Sequence, residues 1–473
     1  MKKKVISFSI IILFLLGGST FAEGAINGQH SDTEESVLNS NSTEWGAKAE
    51  QAQASLYDNY WNEETNMFNN AYKCVNCNGQ FHYWWQAHAI DTLIDAYERT
   101  GEDVHINRAT ALYDSIIQKN NGITNNFYDD MLWMGMALLR LYEHTNDQEH
   151  ANAVFTLWED IKHGWSEEFG GGIAWNKSQL DYKNTPSNAP AVILAARLYQ
   201  QFGNSNDLEW AKKIYEWQKS TLVDSQTGFV WDGINRTGDG SIDKNWEFTY
   251  NQGVYIGASI ELYRATKKPE YFEAALQTAD TGVNRLVGNH TTNILKDEGS
   301  GDGGLFKGVF IRYLGGLVEE DPTQEKLVNF ILNNADSAWE HTKSEDEILF
   351  GSSWERTPTL NNDLSTNLSG VMLMEQAAKV ENNIAVPSFS LLHQQLNEYV
   401  NVGDVKGPLV SILNNSLKQV EHHLNKGKVN QAKKHLEKFR KHLANDAHDK
   451  HISDQAKEKL IKGADLLIED WTK

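Results

Sequence analysis

The stretch YDDMLWMGMALLRLY, residues 128–142, opens with polar and aromatic residues and continues as an apolar run that mixes small with large side chains. The same pattern recurs along the chain, with starts 45 to 62 residues apart. Apolar runs of this length with few breaks are typical of buried helices. The pattern predicts six inner helices, at Tyr83–Tyr97, Tyr128–Tyr142, Asn188–Tyr199, Tyr250–Tyr263, Phe306–Leu317 and Asn367–Ala378.

A more amphipathic segment precedes each inner helix, with apolar residues every three to four positions, as in a helix with one wet face. Repeats of this length indicate stacked helix pairs. An open stack needs polar capping repeats at its ends, whereas the first and last pairs here are as apolar as the others. We therefore expect an all-α fold in which residues 44–385 close into an (α/α)6 barrel. The predicted outer helices lie near Ala47–Tyr60, Val104–Lys119, Gln148–Lys162, Leu208–Lys219, Glu270–Arg285 and Gln324–Glu340.

The composition changes near residue 388. Fourteen of the 15 tryptophans lie before it, and only Trp471 lies after it. Residues 404–473 contain 14 Lys or Arg and 10 Asp or Glu, a net charge of +4, whereas the rest of the chain carries −25. This shift predicts a second domain at residues 391–473, a small bundle of three or four helices.

The N-terminus resembles a secretion signal. Three lysines at positions 2–4 precede an apolar run at residues 5–16, and Thr20-Phe21-Ala22 fits a cleavage site. Twelve residues are too few to span a bilayer, so we expect residues 1–22 to be removed and the protein to be secreted, without a membrane partner. Residues 23–43 are polar and predict a disordered leader. The net charge of −21 argues against a polyanion, such as nucleic acid or teichoic acid, as a general partner, and we expect a monomer.

The chain has two cysteines, Cys74 and Cys77. Outside the cell they could close a small disulfide or stay free. A zinc site usually needs four ligands, and no second cysteine pair exists to supply them. We expect neither a metal nor another cofactor.

The sharpest local feature is the adjacent pair Asp129 and Asp130 at the start of a predicted inner helix. Aspartates are common there simply because they cap helices and suit the helix dipole. On an inner helix, however, they also face the barrel mouth. Side chains of neighbouring residues diverge by about 100°, which allows the roughly 5–5.5 Å carboxyl separation of retaining glycosidases. Two close carboxyl groups also push their pKa values apart, so one can stay protonated.

Around this pair the sequence resembles glycoside hydrolase family 76, the endo-α-1,6-mannanases. The resemblance covers residues 44–380 and implies an (α/α)6 barrel that binds and cleaves α-1,6-linked mannan with retention of configuration. It makes Asp129 the nucleophile and Asp130 the general acid/base. Besides the aspartate motif, it rests on FHYWWQAHAID (81–91), GGGIAW (170–175), NTPSNAP (184–190), FTYNQG (248–253) and GDGGLFKG (301–308).

The same motifs supply candidate substrate-binding residues, each of which could instead be structural. Tryptophans can stack on sugars or pack in the core, and adjacent Trp84 and Trp85 cannot point the same way on a helix, so at most one lines the cleft. Polar residues at helix starts can bind hydroxyl groups or only cap. The loop at residues 297–304 predicts a mobile substrate loop, with a calcium loop as the alternative. The candidates are Trp84, Trp175, Asn188, Tyr250, Asn251, Gln252, Asp302 and Lys307.

The C-terminal segment is similar to the FIMAH domain, a helical module of secreted bacterial proteins, on the stretches YVNVGDVKGPL (399–409) and AKKHLEKF (432–439). This resemblance implies an accessory role. His435 and His442 share a helix face, which indicates either a wet Lys/His-rich surface or a metal site. Two rivals to hydrolysis remain: transglycosylation on cell-wall mannan-type glycans, and a carbohydrate-binding barrel without activity.

Overall fold

The computed structural model of the protein describes residues 43–74, 76–343, 347–385 and 389–472. The predicted signal peptide, residues 1–22, and all but the last residue of the predicted leader lie outside the described residues. Within them, no helix is both long and apolar enough to cross a membrane.

Twelve helices form the N-terminal part in strict alternation. The outer helices are α1 (Glu44–Tyr60), α3 (Asp103–Asn120), α5 (Gln148–Lys162), α7 (Ser205–Thr221), α9 (Pro269–Arg285) and α11 (Glu325–Glu340). The inner helices are α2 (Tyr83–Thr100), α4 (Tyr128–Thr145), α6 (Thr185–Phe202), α8 (Thr249–Thr266), α10 (Gly303–Glu320) and α12 (Leu364–Ala385).

The inner helices close into a ring. Each packs against the next in order from α2 to α12, and α12 packs back against α2. Small residues allow the close approach that the sequence predicted. A Cβ atom on Gly253 of α8 would lie 2.7 Å from the Cα atom of Phe310 on α10, too close for any larger residue. The (α/α)6 barrel is therefore confirmed, and closure leaves no exposed end for a capping repeat to cover.

The two ends of the barrel differ in their connections. Four of the five links from an inner helix to the next outer helix have two residues, and two of these turn on left-handed glycines, Gly101 and Gly203. The links that lead into inner helices have seven to 27 residues. The N-termini of all six inner helices therefore meet at one end beneath long loops. We call this end the mouth and the opposite end the closed end.

Short antiparallel strands stiffen the mouth loops. β1 (Trp61–Asn62) pairs with β2 (Met67–Phe68), and β6 (Val287–Asn289) pairs with β7 (Ile294–Leu295). A three-stranded sheet has the order β3 (Ala174–Asn176), β4 (Gln179–Asn184) and β5 (Gly233–Ile234). This sheet joins the loops before α6 and α8, so it couples two neighbouring sectors of the mouth.

Four helices follow the barrel: α13 (Phe389–Asn401), α14 (Pro408–Leu424), α15 (Val429–Leu443) and α16 (Asp454–Asp470). They bury a hydrophobic cluster of their own, which includes Leu413, Leu436 and Phe439 and shares no described residue with the barrel core. The predicted C-terminal helical bundle is thus present with four helices.

Both cysteines lie in the loop between β2 and α2 and are half-buried free thiols. Of the two alternatives that the sequence left open, a disulfide or free thiols, the structure shows free thiols.

Candidate active site

Four amide side chains fix the mouth loops to the inner helices, and we call them the amide clamps. Each is the fourth residue of its inner helix and bonds the backbone of an apolar loop residue. Asn188 accepts from the N–H of Ile173 (2.7 Å) and donates to its carbonyl (2.8 Å). Gln252 bonds Val230 in the same way, at 2.8 Å each. The remaining clamps are Gln86 with Phe68 and Asn367 with the N–H of Phe350.

As amide clamps, Asn188 and Gln252 have a different place from the substrate-binding one that the sequence predicted. Both are completely buried, and their amides are used on backbone groups. They therefore position the loops that carry the site and do not reach a ligand in the mouth. Lys307 is likewise 1% exposed, and its Nζ donates to the carbonyl of Ser352 above the Trp354 ring. The structure thus gives three predicted substrate-binding residues a supporting role.

Asp129 and Asp130 are the second and third residues of α4. The preceding Phe127 gives the helix no side-chain cap, and the backbone N–H of Asp130 donates to Asp129 Oδ1 (3.0 Å). The other Asp129 oxygen accepts from the indole N–H of Trp175 (3.1 Å), and Asp130 Oδ2 accepts from the Asn125 amide (3.0 Å). Both carboxyl groups are thus held at the mouth, where the positive end of the helix dipole favours negative charge.

Burial raises the pKa values of both groups, but to different extents. Burial raises the pKa of Asp129 to about 7, against the opposing effect of its two N–H donors. Burial, with the added repulsion of Asp129, raises the pKa of Asp130 well above its usual range. The pair can therefore hold one proton near neutral pH, with Asp130 as the acid and Asp129 as the carboxylate.

Asp232 links the aromatic residues on one side of the pair. Its buried carboxylate accepts from the hydroxyl groups of Tyr182 (3.1 Å) and Tyr250 (3.2 Å) and from the Asn251 amide (3.0 Å). The Tyr182 ring meets Trp175 edge-on, with centroids 5.9 Å apart. Asp232 thus supports the indole that donates to Asp129.

The Tyr250 ring lies in the mouth and stacks on Phe306 with centroids 3.9 Å apart. It lies near enough to Asp129 for the negative charge to contribute to its raised pKa, after burial and the larger effect of Asp232. The Tyr250 ring therefore lies at the mouth beside Asp129, and its contact with substrate stays a prediction, whereas the fully buried Asn251 serves Asp232.

Asp302 is a further carboxylate of the mouth. One of its oxygens accepts from the indole N–H groups of both Trp84 (2.9 Å) and Trp85 (3.1 Å). The prediction that these two indoles diverge is wrong, because side chains of this length can converge although their Cβ atoms point apart. One of them does pack as expected: Trp85 is buried against His82, and Trp84 is half-buried. The negative charge of Asp302 also contributes to raising the pKa of Asp129 and of Asp130.

The loop before Asp302 is tied to its neighbours. Glu298 accepts from the backbone N–H of Thr249 at the start of α8, and the N–H of Gly301 donates to Asp363 (2.8 Å). The predicted substrate loop is thus anchored at two points before Asp302. In the described part of the chain, no group of three or more His, Cys, Asp or Glu residues could hold a metal ion.

Sequence reasoning missed Asn125, Tyr182, Asp232 and Phe306. Asp232 lies 103 residues after Asp129, so no local pattern joins them. The clamps share one position only when the inner helices are aligned by their starts in the structure, where an amide is the fourth residue in four of six. The predicted starts at Asn188 and Asn367 lie three residues after the observed ones, so the sequence did not show this register.

Comparison with known proteins divides the chain as the fold does, into the barrel and the C-terminal bundle. The family model for glycosyl hydrolase family 76 matches residues 44–388, and that for the FIMAH domain matches residues 389–469. The curated mannan endo-1,6-alpha-mannosidase DCW1 of Candida glabrata is 27% identical over 285 residues, which span 54% of this chain and 62% of that protein. The chain thus covers less than two thirds of this relative.

Solved structures are more similar. An inactive variant of the α-1,6-mannanase from Salegentibacter sp. HEL1_6, in complex with α-1,6-mannotriose, is 41% identical, with a TM-score of 0.67 over 71% of this chain and 99% of its own. The Lin0763 protein of Listeria innocua is also 41% identical, with a TM-score of 0.68 over 72% and 98% of the two chains.

Proposed function

The chain belongs to glycosyl hydrolase family 76, and from this premise we propose that it is a secreted endo-α-1,6-mannanase that hydrolyses the mannan backbone with retention of configuration. The proposal rests above all on one observation. Two adjacent buried carboxyl groups lie at the mouth, Asp129 held by Trp175 and Asp130 by Asn125, and repulsion from Asp129 raises the pKa of Asp130 further, which favours one carboxylate beside one acid.

In the first step, the Asp129 carboxylate attacks the anomeric carbon of the mannosyl unit. Asp130 gives its proton to the departing O6, so the glycosidic bond breaks as the glycosyl ester of Asp129 forms. The indole N–H of Trp175 donates to one oxygen of Asp129, and the backbone N–H of Asp130 donates to the other, so the carboxylate is held in one orientation. Asn125 holds Asp130 in a similar way.

In the second step, Asp130 is a carboxylate and takes a proton from water, which attacks the same anomeric carbon. Asp129 leaves as a carboxylate, and Asp130 ends protonated for the next cycle. The loss of the Asp129 charge in the ester also favours ionisation of Asp130, because its neighbour no longer repels a second negative charge. Tyr250 and Trp84 are aromatic surfaces on which sugar rings would stack.

The decisive experiment is digestion of linear α-1,6-mannan by the purified protein, with the first-formed anomer followed by NMR. Internal cleavage with retention supports the proposal, whereas inversion removes Asp129 as a covalent nucleophile. Longer products in place of shorter ones would indicate transglycosylation, and binding without cleavage would indicate a carbohydrate-binding barrel.

Chemical rescue separates the two roles. With an activated leaving group, Asp130→Ala should recover the first step, and azide should speed its turnover because it needs no base. Asp129→Ala should show no such dependence on the leaving group, and azide in its empty site should give the opposite anomer. Secretion is tested separately, by the N-terminal sequence of protein from the culture medium, which should begin near Glu23.

A further inference from the structure

One helix carries the positive charge of the C-terminal bundle. α15 has five Lys or Arg residues and one Glu, whereas α14 has one Lys and one Glu, and α16 has three Lys against five Asp or Glu. A generally basic solubilising surface would spread its lysines over all exposed helices. The concentration on α15 instead marks one face of the bundle.

Three lysines of α15 form a line, which we call the lysine stripe: Lys434, Lys438 and Lys441. Their spacing of four and three residues places them on one side of the helix. The opposite side, with Leu436 and Phe439, is buried in the core of the bundle. All three lysines are exposed, and none forms an ion pair within the described residues.

Two features of the arrangement do not stabilise the helix, although Lys441 in its last turn suits the helix dipole. Like charges at four-residue spacing, as in Lys434 and Lys438, repel each other on an isolated helix. Exposed Lys428 lies at the N-cap, where a positive charge opposes the helix dipole. By contrast, Arg440 at the edge of the stripe is paired with Asp465. A bound anion would relieve the repulsion along the stripe.

We propose that the lysine stripe binds a linear polymer that carries carboxylate or phosphate groups along its chain. A straight row of exposed ammonium groups complements such a chain by charge, whatever the acid group. A bilayer fits less well, because the apolar side of α15 is already buried and unable to insert. Single-stranded nucleic acid also fits less well, because Phe439 of α15 is buried in the core of the bundle and the helix exposes no Phe, Tyr or Trp for bases to stack on.

The stripe would hold an otherwise acidic protein at an anionic surface. Residues outside 404–473 carry a net charge of −25, so the barrel is repelled by the polymer that the stripe attracts. The catalytic mouth would then stay free for its neutral substrate while the bundle keeps it near. Polymer binding by the stripe does not depend on the proposed activity, whereas its benefit to the mouth rests on that activity.

The test compares binding of the full chain and two triple variants to immobilised linear polyphosphate and to polygalacturonate. Lys434→Gln/Lys438→Gln/Lys441→Gln removes the stripe, and Lys418→Gln/Lys459→Gln/Lys462→Gln removes the same charge from exposed positions on α14 and α16. Binding should fall steeply with salt. At low salt the stripe variant should bind about tenfold more weakly than wild type, and the control variant within about twofold. The two polymers distinguish phosphate from carboxylate as the preferred group.

Several results would overturn the inference: no binding of the wild type to either polymer at low salt, equal loss in both variants, or preference for duplex DNA or anionic vesicles at the same salt. Circular dichroism and thermal unfolding establish that the variants are folded. If the triple variant unfolds, Lys438→Gln alone replaces it, with an expected twofold to threefold loss against Lys459→Gln.

Discussion

The two ends of the barrel bury carboxyl groups on the same ring of helices and treat them in opposite ways. At the closed end, Asp91 and Glu98 lie beside a polar cavity of about 560 Å³. Burial there opposes their ionisation, but Arg312 and Arg140 outweigh it for Asp91 and lower its pKa, and Arg140 lowers the pKa of Glu98 to about 2. At the mouth, neither Asp129 nor Asp130 has a cationic partner among the described residues, and both pKa values rise.

The difference teaches that burial alone does not decide what a carboxyl group does. Arginine makes the closed end a set of ion pairs, in which Arg140 contacts Asp95 and Glu98 at 2.9 Å and Arg312 contacts Asp91 at 3.3 Å. At the mouth, where no arginine contacts the aspartate pair in the described structure, burial instead produces a carboxyl group that gains or loses a proton near neutral pH. One end therefore contributes stability and the other contributes chemistry.

The largest expected effect is at the mouth. Asp129→Asn and Asp130→Asn should each lower mannan hydrolysis by three or more orders of magnitude, because each removes one half of the acid and nucleophile pair. Both should also raise the melting temperature at pH 7, because a neutral amide avoids the cost of burying the Asp129 charge or of protonating Asp130 on folding. The comparison fails if either variant is less stable than wild type at pH 7.

Asp91→Asn is the matched control at the closed end. It should lower the melting temperature, because it leaves the buried Arg312 and Arg140 short of a partner. Its kcat per folded molecule should stay within a few-fold of wild type. Large loss of kcat with unchanged stability would mean that the two ends are not separate in function.

The next effect concerns Arg140. Arg140→Met should lower the free energy of unfolding by about 3 kcal/mol, because buried carboxylates lose their cation. Lys379→Met is the control, since its 3.0 Å pair with Glu319 is more exposed and worth under about 1 kcal/mol. Chemical denaturation at pH 7 measures both free energies of unfolding. Equal losses in the two variants would contradict the claim that buried ion pairs at the closed end stabilise the fold.

The pH dependence of the Arg140→Met variant has a definite sign. In wild type, the lowered pKa values of Asp91 and Glu98 contribute stability above about pH 4, which is lost as the pH falls toward about 2. In the variant, burial should raise these pKa values as it does at the mouth. The difference in unfolding free energy should therefore shrink as the pH falls from 7 to about 4. A constant difference would show that Arg140 acts only through packing.

A smaller effect is expected for Asp232, which acts through its aromatic neighbours. Asp232→Asn keeps one acceptor oxygen but cannot accept from both tyrosine hydroxyls, so Tyr182 or Tyr250 should lose its anchor. We expect kcat to fall by about 10–100-fold with a smaller change in KM, since a displaced group costs the transition state more than binding. Tyr250→Phe separates the two branches. A change in KM alone would mean that Asp232 shapes only the binding surface.

The sequence predicted the barrel well because its determinants are periodic. The starts of α2 at Tyr83 and α4 at Tyr128 agree with the prediction, and the ring closes as the missing capping repeats indicated. Helix ends were predicted short, for example at Tyr142 in place of Thr145, because polar last turns follow no apolar period. The mouth strands were missed because most have only two or three residues.

The site was only partly predictable, because its side chains meet through the fold. A polar residue at a helix start looks the same in sequence whether it faces the mouth, as Tyr250 does, or a loop, as Asn188 does. The choice depends on a partner tens of residues away. The aspartate pair was recognisable because both members are adjacent in sequence, whereas Asp232 and Asp302 reach the pair only in space.

The smallest effect tests the charge of the mouth itself. The acidic limb of the pH profile for kcat/KM should lie near pH 7, because Asp129 must lose its proton in the free enzyme. Asp302 raises the pKa of both members of the pair, so Asp302→Asn should shift this limb toward lower pH by up to about one unit. The control variant is Asp297→Asn, which removes the same charge five residues earlier in the loop. Asp297 pairs with Arg356 at 2.8 Å, so this variant should leave the acidic limb in place.

Rates at saturating and at limiting mannan, from pH 4 to 9, measure the pH profiles of kcat and of kcat/KM for both variants. An unmoved limb in Asp302→Asn, with a higher KM, would mean that Asp302 serves only to hold Trp84 and Trp85. The mouth would then owe its raised pKa values to burial and to the aspartate pair alone.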